Sequence, residues 1–205
     1  MSARLISIIG PPAVGKTTLA TLLCQDLPAG LIREDWDHNP HLAESYAGGP
    51  EARLPSQLYF LRSRAAQLAA NTWPAQGLYV SDYGFCQDRI FARQRLGRSD
   101  FETYESLADS VERAIHAPDV LVYLDAPCGE LLARIARRGR QFEHAMDRAF
   151  LESMRQEYRQ AVASMRCPVI EIDAGEEDFR QPAARAAAVE RVREALTTAS
   201  GSDAA

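Results

Sequence analysis

The chain has 205 residues, 46% of them hydrophobic, 25% charged and 8% aromatic, with a formal net charge of −5, the make-up of one ordinary globular domain. Net acidity excludes a global basic field for nucleic acid, and the apolar runs fall far short of the ~20 residues that span a bilayer. Four scattered cysteines without a CxxC pair (Cys24, Cys86, Cys128 and Cys167) and an N-terminus without the apolar core of a signal peptide point away from a disulfide scaffold or zinc knuckle and toward a reduced cytoplasm.

In chain order, the β-branched run at 5–9 predicts a buried strand. It leads into Gly10-x-x-x-x-Gly15-Lys16-Thr17, the phosphate-loop pattern. Leu19, Leu22, Leu23 and Leu27 follow at helical spacing. The order has a physical reason. A strand ends, glycines let backbone N–H groups of the loop curl around phosphate oxygens, and a helix N-terminus adds its dipole. Gly10, Ala13, Val14, Gly15, Lys16, Thr17 and Thr18 are therefore the expected phosphate cradle. Lys16 is expected to reach the β- and γ-phosphates, and the Thr17 hydroxyl to ligate Mg²⁺. Every one of the 23 basic residues except Lys16 is arginine. A compact ammonium on a flexible stem has survived only where a guanidinium cannot replace it.

Further strands are expected near 31–32 and at 78–81, 120–124 and 169–172. Helices are expected at 16–27, 53–71, 87–96, 100–115, 128–138, 147–165 and 182–196. This alternation predicts an α/β fold with a five-stranded parallel sheet covered on both faces. Ligands then sit at the C-terminal strand ends. Three of those ends carry acids: Glu34 and Asp35, Asp82, and Asp125. Either Asp82 or Asp125 suits the second acid near Mg²⁺, and spacing does not choose between them.

Residues 131–143 read LLARIARRGRQFE. Arg134 and Arg138 lie one helical turn apart on one face. Gly139 then breaks the helix and frees Arg140. Arginines on such a hinged segment form a lid that neutralises phosphate charge. His38, His41, His116 and His144 form no ligand-spaced cluster with the cysteines and read as structural or peripheral. Residues 1–196 read as one domain, and 197–205 as a small, polar, disordered tail.

Taken together, IIGPPAVGKTTLA, REDWDHNPHL, SQLYFLRSR, SDYGFCQDRIFA, YLDAP and RIARRGRQFE resemble, in order, the motifs of the deoxyribonucleoside kinases. The likeness runs over residues 4–196 and leans toward the bacterial deoxyguanosine/deoxyadenosine kinase-like branch. It implies a P-loop kinase fold with an arginine-rich lid. It also implies ATP with Mg²⁺ as donor system, a deoxynucleoside as acceptor (a purine, with deoxycytidine also open), and a homodimer. At matching positions, Glu34 corresponds to the base that takes the 5′-hydroxyl proton. Gln57, Arg64 and Asp88 correspond to the base-reading set, and Phe91 to the ring stacked on the base. Tyr46 and Glu143 correspond to the pair on the 3′-hydroxyl. Arg138 and Arg140 correspond to the lid arginines, and Asp82 to the acid that helps hold Mg²⁺; Arg134, one turn before Arg138, is expected at the ATP phosphates. Asp178-Phe179 falls near the loop around the donor's base.

The chain departs from the family pattern after the third strand. Family members often carry Glu-Arg-Ser or Asp-Arg-Ser there, and this sequence has Asp82-Tyr83-Gly84. The group that supports Glu34 is thereby left open, with Arg89 as a candidate. Asp35 and Trp36 also replace a proline and a small apolar residue, so the pocket floor is expected to differ. Two rival readings remain at this level. One is a nucleoside monophosphate or thymidylate-type kinase, using Arg33, Arg53, Arg62 or Arg64 for an acceptor phosphate. The other is a nucleotide-sensing P-loop module without turnover.

Overall fold

The computed structural model describes residues 3–202. Its elements follow the expected alternation: β1 (Arg4–Ile9), α1 (Lys16–Asp26), β2 (Ala29–Ile32), α2 (Leu42–Ala47), α3 (Arg53–Gln67), β3 (Leu78–Ser81), α4 (Phe85–Arg95), α5 (Arg98–Glu112), β4 (Val120–Asp125), α6 (Cys128–Arg138), α7 (Arg148–Ala163), β5 (Val169–Asp173) and α8 (Pro182–Ser202). All five strands pair in parallel, in the order β2-β3-β1-β4-β5. No helix among the described residues is long and apolar enough to cross a membrane.

Burial explains which strands the sequence advertises. β1 and β4 lie inside the sheet with helices on both faces, so Leu5, Ile6, Ile8, Ile9 and Val120 to Leu124 are all buried, the continuous apolar run of a doubly covered strand. The edge strands differ. β5 alternates, with Ile170 and Ile172 buried and Glu171 and Asp173 exposed. β2 is mostly exposed and begins two residues earlier than its apolar signal, at Ala29. Gly30 has a packing reason there, because a Cβ would stand 2.8 Å from the Tyr79 ring.

Two helical expectations need correction. Residues 42–47 form α2, a single short turn with no amphipathic period to reveal it. Asn39 and Pro40 precede it: the Asn39 Oδ1 accepts from His41 N at 3.1 Å, and Nδ2 donates to Ser56. Gly48, at φ 111°, ends it. Residues 197–202, expected to be disordered, continue α8. The helix is anchored by buried Ala188, Val189, Val192 and Leu196, and adding turns to an existing helix is cheap. The hydroxyls of Thr197 and Thr198 donate back to the carbonyls of Arg193 and Glu194. Residues 203–205 of that expected tail lie outside the described residues.

Candidate active site

One cleft of about 680 Å³ lies at the C-terminal ends of β1, β2 and β3, where an open parallel sheet places its ligands. Its floor is the phosphate loop. Gly10 has φ 147°, and a Cβ there would sit 2.2 Å from the Leu124 carbonyl oxygen. Only glycine lets the loop turn this close to β4. Gly15 (φ 114°) and Ala13 (φ 62°) are also left-handed. Gly10→Ala is expected to displace the loop and weaken ATP binding by about tenfold or more. Calorimetric titration with ATP measures this.

Lys16 donates to the carbonyls of Gly10 at 2.7 Å and Pro11 at 3.0 Å. Burial pulls its ammonium down to about 8, against the attraction of Glu34 and Asp82. A phosphate arriving at the loop supplies the anion this buried cation lacks. Thr17 Oγ1 donates to Asp82 Oδ2 at 2.6 Å, while Asp82 Oδ1 accepts from the Glu34 amide at 2.7 Å. Asp82 therefore joins the phosphate loop to the end of β2. Asp125 is engaged elsewhere: Arg155 grips both its oxygens, at 2.6 and 2.9 Å, and Arg159 adds a third contact at 2.9 Å. Of the two acids left open by spacing, Asp82 is the one beside Thr17. A hydroxyl and a carboxylate are hard oxygen donors, a set that fits Mg²⁺.

The lid follows from α6. Gly139, at φ 69°, caps the helix in the left-handed region, and the chain turns back over the cleft. Arg138 donates Nε to Glu143 Oε2 at 2.9 Å and Nη2 to Glu143 Oε1. Arg140 lies 3.5 Å from Glu143 and 3.6 Å above the Trp36 ring. Burial and the neighbouring Arg138 lower its already high pKa. Arg134 lines the cleft but is tied to the backbone, donating to Val14 O at 3.1 Å and Ala174 O at 2.7 Å. It fastens α6 to the phosphate loop.

On the other side, α3 and α4 converge on Glu34. Arg64 lies buried between two acids, donating Nη2 to Glu34 Oε1 and Nη1 to Asp88 Oδ1. Gln57 and Phe91 line the same wall, and Tyr46 and Glu143 face the cleft from α2 and the lid. Burial raises the Tyr46 phenol. Arg95 lies 3.4 Å from the Tyr46 ring. Four buried polar atoms of this wall have no partner: Gln57 Oε1, Arg64 Nε, Gln87 Oε1 and Asp88 Oδ2. Such groups are uncommon in a folded protein. Their clustering in a cleft wall suits a ligand edge with its own donors and acceptors.

Arg89 does not serve Glu34. Adjacent to Asp88 on a helix, it is turned about 100° around the axis and faces α5, pairing with Asp109 at 2.7 Å and Glu112 at 2.9 Å. Arg64 holds that place instead. Trp36, expected to alter the pocket floor, lines the cleft; sequence reasoning missed Gln87, whose Nε2 donates to Glu34 Oε1 at 3.2 Å, and the aromatic residues Phe60 and Phe142 that line the cleft. Gln87 stood next to Asp88 in the QDRIFA motif. Its orientation became readable only once α4 began at Phe85 rather than 87.

Comparison with known proteins identifies the family and the fold. The model of the deoxynucleoside kinase family matches residues 6–197. A deoxyguanosine kinase from Bacillus subtilis is 30% identical over 87% of this chain and 90% of its own length. A deoxyadenosine/deoxycytidine kinase of the same organism is 30% identical over 82% of this chain and 81% of its own. In fold, the chain is similar to a deoxyadenosine kinase from M. mycoides, with TM-score 0.78 and 21% identity, covering 95% of this chain and 98% of that one.

Proposed function

The chain belongs to the deoxynucleoside kinase family, and from that premise we propose that it transfers the γ-phosphoryl of ATP to the 5′-hydroxyl of a purine deoxynucleoside with Glu34 as the general base. The observation that carries the reading is the position of Glu34. Its amide is held by Asp82, which also binds Thr17 of the phosphate loop. Its carboxylate is held by Arg64, which also binds Asp88 of the acceptor wall. One carboxylate thus lies between a phosphate site and a nucleobase-sized polar wall, where a base for in-line transfer belongs.

In this reading the N–H groups of residues 13–18 and the Lys16 ammonium hold the β- and γ-phosphates. Thr17 and Asp82 would hold Mg²⁺, which would supply positive charge against the phosphate oxygens. Gln57, Asp88 and Arg64 read the base edge and Phe91 stacks on it. Tyr46 and Glu143 hold the 3′-hydroxyl, turning the 5′-hydroxyl toward Glu34. Glu34 accepts the hydroxyl proton as the oxygen bonds to the γ-phosphorus and the bond to the ADP oxygen breaks. Arg138 and Arg140 stabilise the charge on the transferring group. Residues 1–196 carry this function as one domain. A cytoplasmic home suits four free thiols, and a homodimer is the assembly the family resemblance implies.

A monophosphate kinase would need free cations at the acceptor wall. Arg64 is committed to Glu34 and Asp88, and Arg33, Arg53 and Arg62 are not among the residues lining the cleft. The test is a product assay with ATP, Mg²⁺ and each of the four deoxynucleosides and their monophosphates, read by mass. The expected product is a monophosphate from deoxyguanosine or deoxyadenosine. Diphosphate made only from monophosphates would overturn the acceptor assignment, and ATP binding without any product would overturn the mechanism.

A further inference from the structure

We propose that Tyr83 is a positioning residue for the general base, holding Glu34 in place through two separate contacts. The proposal rests on the reading of Glu34 given above. Tyr83 follows β3 and is fully buried. Other buried tyrosines, Tyr104, Tyr123 and Tyr158, have hydroxyls without a partner. The Tyr83 hydroxyl instead donates to Gln67 Oε1 at 2.6 Å. Gln67 Nε2 in turn donates to the Arg33 carbonyl at 2.9 Å, the peptide that leads into Glu34. The two bonds require the same amide orientation, since a phenol here must donate and a carbonyl can only accept. Burial raises the phenol's pKa, so it remains a neutral donor.

The second contact is through the ring. The Arg64 guanidinium lies 4.9 Å from the centre of the Tyr83 ring and 5.1 Å from that of Phe60. A desolvated cation gains from an aromatic face, and two flanking rings restrict where it can move. Arg64 is the group that grips Glu34 and Asp88. Tyr83 therefore acts on the backbone before Glu34 and on the cation at its carboxylate. Its neighbour Asp82 holds the Glu34 amide at 2.7 Å, so residues 82 and 83 together clamp the end of β2. This is how the chain manages with a neutral residue after Asp82: the ring organises Arg64, and Arg64 serves both acids.

The two contacts separate by substitution. Tyr83→Phe keeps the ring and removes the hydroxyl. It is expected to lower kcat by about three- to tenfold, with the KM for ATP unchanged. Gln67→Met, at the half-buried other end of the relay, is expected to do the same, and the double variant to lose no more than either alone, as members of one chain do. Tyr83→Leu removes the ring as well. With Arg64 less well held at Glu34 and Asp88, kcat is expected to fall by about three- to tenfold further relative to Tyr83→Phe, again with the KM for ATP unchanged. A merely structural role would lower the melting temperature without this split between kcat and KM. Unchanged kcat in Tyr83→Phe, or additive losses in the double variant, would overturn the relay. A kcat in Tyr83→Leu equal to that of Tyr83→Phe would overturn the ring's role, and if that variant does not fold, the Phe and Met cycle decides. Glu34→Gln is measured beside them. Should it turn over normally, the base reading fails; should it be inactive while Tyr83→Leu keeps the kcat of Tyr83→Phe, only the ring's positioning role fails.

Discussion

Glu34→Gln is expected to lower kcat by about 10²- to 10⁴-fold, the usual contribution of a positioned general base, while leaving ATP affinity nearly unchanged. The substitution is close to isosteric. The amide oxygen still accepts from Arg64 Nη2 and Gln87 Nε2, which now meet the Glu34 carboxylate. The backbone amide still donates to Asp82. What disappears is the capacity to take a proton from the acceptor hydroxyl. The phosphate loop is untouched, so its N–H groups and Lys16 keep their grip on ATP. Single-turnover kinetics with the preferred deoxynucleoside, together with calorimetric titration by ATP, separate the two effects. A kcat within tenfold of the wild type would mean that the proton leaves by another route, and the mechanism would need a different base.

Much of this arrangement was legible in the amino-acid order, for reasons particular elements make plain. β1 and β4 announce themselves because a strand covered on both faces needs an unbroken apolar run. The phosphate loop is readable because its chemistry is local: glycines for left-handed backbone, then Lys16 and Thr17 at the start of a helix. The lid is similar, with Gly139 closing α6 where a left-handed cap was required. The failures share a different cause. β2 is an edge strand with a glycine in it, so half its length carries no signal. α2 is too short to show a period. The end of α8 is polar, yet it continues a helix docked through Ala188, Val189, Val192 and Leu196. At the site, the choice between Asp82 and Asp125, and between Arg64 and Arg89, turned on which way a side chain points after the helices pack. Tyr83 and Gln67 lie 16 positions apart and meet only because β3 and α3 bring them together.

The second large effect is expected from Asp88→Ala, and it falls on stability and base choice rather than on ATP. Asp88 and Arg64 are both nearly excluded from solvent, with side-chain exposures of 1% and 4%. Removing the acid leaves a buried guanidinium with Glu34 as its remaining ion-pair partner. Breaking a buried pair by deleting one member costs about 3–5 kcal/mol, because the surviving charge has lost its compensation. Replacing both members is gentler: Arg64→Met with Asp88→Leu fills the space, leaves only the partly exposed Glu34 carboxylate without its cation, and is expected to recover part of that loss. Denaturant unfolding of the single and double variants checks the order. In both, the wall proposed to meet the nucleobase has lost polar groups, each hydrogen bond of this kind being worth about 1–3 kcal/mol, so discrimination among the four deoxynucleosides is expected to fall by roughly 10- to 100-fold. The KM for ATP should stay near the wild-type value, since Arg64 and Asp88 make no contact with the phosphate loop. The double variant should also lose kcat, because the same guanidinium proposed to read the base edge holds Glu34. That joint loss distinguishes one shared cation from two independent sites. If instead base choice survives and ATP affinity suffers, the wall formed by α3 and α4 is not where the acceptor binds.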